Sequence, residues 1–162
     1  MVWVDIAIIA LLAIYSVVGI FRGYSQEAYS LIAWVIGIIV AWFFSKDFAL
    51  LLIKTIGSPS TRLAVAFIAL ILITLMTVRV INLLAGNAKK TGLTLLDRTG
   101  GLVLGFGHGL LVVFAMVVVA GLTPLPKDRW WQESIYLPPF QSFALIVKKN
   151  IATKLASSIN YQ

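Results

Sequence analysis

The chain contains no cysteine. That excludes disulfides, thiolate metal sites and cysteine nucleophiles, and it leaves the compartment open. Charge is also scarce: 12% of residues are charged, where a soluble domain carries about 25%. Acidic residues are the scarcest part, 6 against 13 Lys and Arg, and there is one histidine. No paired carboxylates, no His-x-Glu arrangement, no serine with a base at motif spacing and no phosphate loop can be found, so an enzyme is not expected, nor a cofactor or metal. Gly100-Gly101 with Gly105 imitates part of a dinucleotide fingerprint, but no strand precedes it and an apolar run follows. The basic residues are scattered and no groove-reading motif accompanies them, which argues against nucleic acid. The opening Met1-Val2-Trp3-Val4-Asp5 lacks a basic n-region. A cleaved signal peptide is therefore not expected, and the first apolar run should stay as an anchor.

What the chain does have is oil. Hydrophobic residues make up 60% of its 162 positions, more apolar surface than a fold of this size can hide from water. The expected solvent is the lipid bilayer, and the expected fold is an all-α integral membrane protein. A helix needs about 20 residues to cross a hydrocarbon core about 30 Å thick. Four apolar stretches meet that length closely enough, at about 2–21, 28–44, 63–85 and 100–122, forming a transmembrane domain over 1–122. Asp5 suits the positive end of the first helix dipole. Arg22 to Glu27 is the only link between the first two stretches, so they form a tight antiparallel hairpin. Ser45-Lys46-Asp47 marks a break, Phe48 to Ile53 is a patch too short to span, and Ser60 or Thr61 is the expected N-cap of the third stretch.

Residues 123–162 form a tail of different character. Thr123-Pro124-Leu125-Pro126 ends the fourth stretch, and Trp130 and Trp131 suit the headgroup level. Phe140, Phe143, Ala144, Val147, Ile151, Leu155 and Ile159 then recur at helical spacing, with lysines mostly elsewhere on the wheel. An amphipathic helix over about 139–160 is expected. Its composition favours the membrane surface; packing on the protein's own loops, or on a second subunit, is the alternative.

Few residues stand out as sites. Gly101, Gly105 and Gly109 are spaced by four and so share a helix face that admits a close backbone neighbour. Contact within the chain and a homo-oligomer through this face are equally compatible with that spacing. Arg79 lies near enough to a helix end to snorkel; the alternative is a buried partner, Asp97 or Glu27. His108 reads as a hydrogen-bonded packing residue, with a proton-relay role as the alternative.

Two clusters together carry a resemblance. One is Asp5, then Gly19-Ile20-Phe21-Arg22-Gly23, then Glu27. The other is Thr91-Gly92-Leu93, then Asp97-Arg98-Thr99-Gly100-Gly101, then Gly105 and Gly109. Over nearly its whole length the chain resembles the colicin V production protein family, CvpA. The resemblance implies a bacterial inner-membrane protein with four spans, associated with production or export of a peptide toxin and with envelope robustness. It brings no catalytic residue or cofactor. The matching positions are Asp5, Gly19, Arg22, Gly23, Glu27, Gly92, Asp97, Arg98, Gly101, Gly105 and Gly109. Its expected partners are lipid, envelope or export proteins, and further copies of the chain; a small oligomeric channel or transporter is the rival function.

With four spans, the Arg22–Glu27 link and the Asp97-Arg98 segment lie on one side of the membrane. Arg22 with Asp97, and Arg98 with Glu27, are then the expected ion pairs. Arg22, Lys89, Lys90, Arg98 and the end of Arg79 make that side the denser in positive charge, which places it in the cytoplasm and both termini in the periplasm.

Overall fold

A computed structural model describes residues 2–84 and 94–150, apart from the side chains of Lys148 and Asn150. Gly92, Lys89, Lys90 and the tail positions Ile151, Leu155 and Ile159 lie outside the described residues. The described residues are helical and include no strand: α1 (Trp3–Leu51), α2 (Pro59–Leu84), α3 (Leu95–Gly121), a 3-10 turn (Leu125–Lys127), the short α4 (Arg129–Gln132) and α5 (Leu137–Asn150). Three helices, α1, α2 and α3, are long and apolar enough to cross a membrane.

α1 has 49 residues and would run about 74 Å if straight, more than twice a bilayer core. It is interrupted at Gly23, whose φ of 78° and ψ of 168° are not helical. A side chain there would be strained, whereas glycine adopts positive φ freely. The interruption folds the helix back. Tyr15 and Trp34 would sit about 28 Å apart along an unbroken helix, yet their rings lie 4.7 and 5.6 Å from the same His108 ring. The two arms, 3–22 and 24–51, therefore lie side by side on α3. The expected hairpin is present, but its link is a single residue rather than Arg22 to Glu27.

The second arm also runs on where a break was expected. Ser45-Lys46-Asp47 is inside the helix, and Phe48 belongs to its last turns rather than to a separate patch. The reason is packing: Ala41, Ser45 and Ala49 recur every fourth residue and are all buried, in a core shared with Leu63, Ala64 and Phe67 of α2. α2 begins at Pro59, earlier than expected. Its first helical bond runs from the Arg62 N–H to the Ser58 carbonyl at 3.0 Å, and proline at the first position loses no bond. Ser60 and Thr61 thus lie inside the helix and are not its cap.

α3 likewise starts early. Thr94 caps it: the Asp97 N–H donates to the Thr94 hydroxyl oxygen at 3.2 Å, and the Thr94 N–H donates to the Asp97 carboxylate at 3.1 Å. This reciprocal box satisfies two donors that the first turn would leave bare, so Asp97-Arg98 is helix, not loop. α3 is the central element, with His108, Gly109, Val112, Val113, Phe114 and Ala115 all buried.

The tail packs its stripe on the protein itself. α5 starts at Leu137, with Pro138 and Pro139 in its first turn. Ala144 is fully buried in the main core, Phe140 and Val147 pack against that core, and the Phe143 ring lies 5.3 Å from Phe114 of α3. Much of the apolar stripe is thus spent on the protein's own helices. Ile146 and one side of Phe143 remain exposed.

The closest packing is glycine on glycine. Gly19 of α1 meets Gly101 and Gly105 of α3, and Gly105 and Gly109 in turn face Tyr15 and Leu12. The order is antiparallel and the backbones touch, so a Cβ at Gly19 or Gly101 would overlap the other's carbonyl oxygen. Gly105→Leu is expected to abolish accumulation of folded protein, or to lower its unfolding temperature in detergent by well over 10 °C. Gly57→Ala, with open space around it, leaves both unchanged. Equal behaviour of the two variants in a detergent-solution thermal-shift assay would refute the contact.

Candidate functional site

Five described residues combine polarity with burial: Asp5, Glu27, Ser45, His108 and Ser134. Four of them form two sites, one near each end of the first arm of α1.

At the N-terminal end, Asp5 is inaccessible to solvent. One carboxylate oxygen accepts the Val2 N–H at 2.9 Å, closing the first turn of α1. The other accepts the Ser134 hydroxyl at 2.5 Å and the N–H groups of Ile135 and Tyr136 at 3.1 and 3.2 Å. The Ser134 oxygen in turn accepts the Leu137 N–H at 3.2 Å. Asp5 therefore serves two helix starts, its own and that of α5, where the amides are otherwise bare and the dipole is positive. Trp3 and Trp130 stack beside it with centroids 5.1 Å apart, and Trp131 follows at 5.7 Å from Trp130. The sequence supports the dipole role of Asp5; its hold on the tail comes from a segment far along the chain.

At the fold-back end, Glu27 is fully buried and hydrogen-bonds to Nδ1 of His108, itself 2% exposed. The Arg22 guanidinium faces the other carboxylate oxygen at 3.7 Å, too far for a hydrogen bond, with 47% of its side chain exposed. Nε2 of His108 has no hydrogen-bond partner among the described residues. Tyr15 and Trp34 flank the imidazole from the two arms of α1. The site draws on three stretches of chain: the first arm, the segment just past Gly23, and the middle of α3.

These contacts correct the expected ion pairs. Both motif segments do meet at one end, where Gly100 faces the Tyr24 side chain and Gly101 approaches Gly23. Yet Arg22 pairs with Glu27, not Asp97, because Asp97 is committed to Thr94, whose hydroxyl also donates to it at 2.7 Å. Arg98 does not reach Glu27, whose carboxylate is taken up by His108 and Arg22; the Arg98 side chain is exposed. Arg79 is exposed and has no ion pair among the described residues, so neither Asp97 nor Glu27 is its partner. The Gly101, Gly105 and Gly109 face is filled by α1 of the same chain. Glu27 as the partner of His108 went unread, although its place in the motif was the signal available. The described residues hold no group of three or more His, Cys, Asp or Glu placed to bind a metal ion.

A profile of the colicin V production protein family matches residues 4–145, a stretch that takes in every motif position from Asp5 to Gly109. The colicin V production protein of Escherichia coli (strain K12) is 33% identical over 144 residues, 86% of this chain and 87% of the relative. The colicin V production protein homolog of Haemophilus influenzae is 32% identical over 139 residues, 85% of each chain. No solved structure matches.

Because Arg22 and Asp97 do not pair, exchanging their charges in one chain (Arg22→Asp with Asp97→Arg) is expected to rescue nothing lost in the single reversals; membrane accumulation by immunoblot reads this, and rescue would restore the discarded pairing. Glu27→Ala leaves His108 buried without its acceptor and should destabilise the protein by about 1–3 kcal/mol, measured by unfolding in detergent.

Proposed function

The chain belongs to the colicin V production protein family, and on that premise we propose that it is a non-enzymatic accessory protein of the bacterial inner membrane. It supports production or export of a colicin V-type toxin and the upkeep of the envelope, acting through contacts with export or envelope proteins. The observation that carries this reading is identity of 33% over 86% of the chain with a protein named for colicin V production. One feature agrees with it. The long helices are apolar on their outer faces, as lipid requires.

In this reading the two arms of α1 cross separately, and with α2 and α3 they make four crossings. The first arm spans about 29 Å between Trp3 and Arg22, close to the thickness of a hydrocarbon core. The fold-back at Gly23 faces the cytoplasm and both termini face the periplasm. α5 lies at the interface, its stripe on α3 and its exposed Ile146 toward lipid.

One observation favours a second reading, a small oligomeric channel or transporter: ionisable groups buried among membrane-length helices often mark a pathway, and Glu27 with His108 is such a pair. Association would then use a surface other than the glycine face, such as the exposed Ile68, Leu72, Met76 and Val80 of α2.

Expression in a host lacking its own family member, and carrying the genes for a colicin V-type toxin, is expected to restore the halo of secreted toxin. Normal membrane accumulation without a halo would end the accessory reading. Purified protein in liposomes is expected to pass no ions; flux that His108→Leu abolishes with assembly intact would establish the channel instead. A phosphatase reporter fused after Gln162 should be active, and activity of a cytoplasmic reporter there would reverse the topology.

A further inference from the structure

We propose that Glu27 and His108 form a proton-binding site, in which a proton on His108 and the guanidinium of Arg22 compete for the single Glu27 carboxylate. The proposal concerns the purified chain and does not depend on the accessory reading.

The argument begins with an incomplete hydrogen-bond inventory. Nδ1 of His108 is held by Glu27; with Glu27 ionised, as the proposal has it, the carboxylate can only accept and the ring hydrogen belongs on Nδ1. The remaining nitrogen, Nε2, then carries a free lone pair. It is buried and has no hydrogen-bond partner among the described residues. Proton uptake has one place to go, Nε2, and it converts a neutral ring into an imidazolium paired with Glu27. The surroundings favour that cation. The Tyr15 ring lies 4.7 Å from the imidazole and the Trp34 ring 5.6 Å from it, both within the reach over which aromatic rings attract a positive charge.

Charge counting supplies the competition. With His108 neutral, the buried negative charge of Glu27 is balanced by Arg22 alone. That balance is loose, because the guanidinium stands 3.7 Å away, makes no hydrogen bond to the carboxylate and is half exposed. With His108 protonated, Glu27 is balanced inside the protein, and Arg22 becomes a surplus cation beside a low-dielectric site. Its exposure lets it leave toward water and headgroups at little cost. The groups facing the imidazole are then all accounted for: Tyr15 from the first arm, Arg22 and Glu27 on either side of Gly23, and Trp34 from the second arm. Among the described residues, no charged side chain of α2 or α5 makes an ion pair or hydrogen bond with Glu27 or His108. The exchange sits beside Gly23, the one residue on which the fold-back of α1 depends, so proton occupancy is coupled to how firmly Arg22 ties that turn to Glu27.

A single histidine makes the test direct. The full chain, purified through a tag without histidine and labelled with 15N-histidine, gives imidazole signals from His108 alone. Across the pH range in which the protein stays folded, those signals should move from an Nδ1-protonated neutral ring to an imidazolium as pH falls. Arg22→Gln should raise proton affinity tenfold or more, since a unit charge about 12 Å away already changes an equilibrium about tenfold at an effective dielectric near 20, and a nearer one does more. Arg22→Lys keeps the charge and should titrate like the parent. Glu27→Gln should lower proton affinity; if that variant does not fold, the two Arg22 variants decide alone. A ring that stays neutral throughout in the folded parent, or an Arg22→Gln midpoint equal to that of the parent, would overturn the competition.

Discussion

Everything else in this molecule depends on the backbone contact between Gly19 and the Gly101–Gly105 face. Lipid offers no hydrophobic driving force for one apolar helix to bind another, so close packing must supply the attraction. Small residues on both partners bring main chain against main chain, at a distance that a single Cβ would forbid. The contact fixes the separation of α1 and α3, their antiparallel sense and their rotation. Once those are set, Tyr15 faces His108, and the fold-back at Gly23 delivers Glu27 to the same imidazole from the other side.

The two buried carboxylates use this frame in parallel ways. Each belongs to α1 and each holds something remote: Asp5 holds the start of α5, Glu27 the middle of α3. Neither is a bare buried charge, which an apolar interior would not tolerate. Asp5 is enclosed by two backbone amides and a hydroxyl from one direction and the Val2 amide from the other, an arrangement suited to a permanent tie. Glu27 has one firm hydrogen bond and one loose ion pair, an arrangement suited to exchange. A carboxylate thus serves as a fixed clamp at one end of the arm and as a looser one at the other.

The tail illustrates how one composition serves two kinds of contact. A stripe of Phe140, Ala144 and Val147 looks the same in sequence whether it meets lipid or protein, since both are apolar. What draws it onto α3 is the Asp5 clamp at its start together with the Phe114 and Phe143 rings farther along. A similar ambiguity governed Ser45-Lys46-Asp47. Three polar residues look like a break, yet a helix surface has room for a buried serine on its packed side while its neighbours point elsewhere.

By itself the sequence determined the properties that accumulate along a continuous stretch: runs oily enough for a bilayer, a turn near Gly23, glycines in register on one helix, and the family to which that spacing belongs. Those follow from helix rise, periodicity and the conformational freedom of single residues, all of which are local. Only the tertiary structure decided that Arg22 and His108 share Glu27, and that the glycine face is spent inside the chain. Such choices turn on the rotation of one helix against another. A charge near a helix end meets several candidates of opposite sign within reach, and a rotation of one residue step, about 100°, changes which of them it faces.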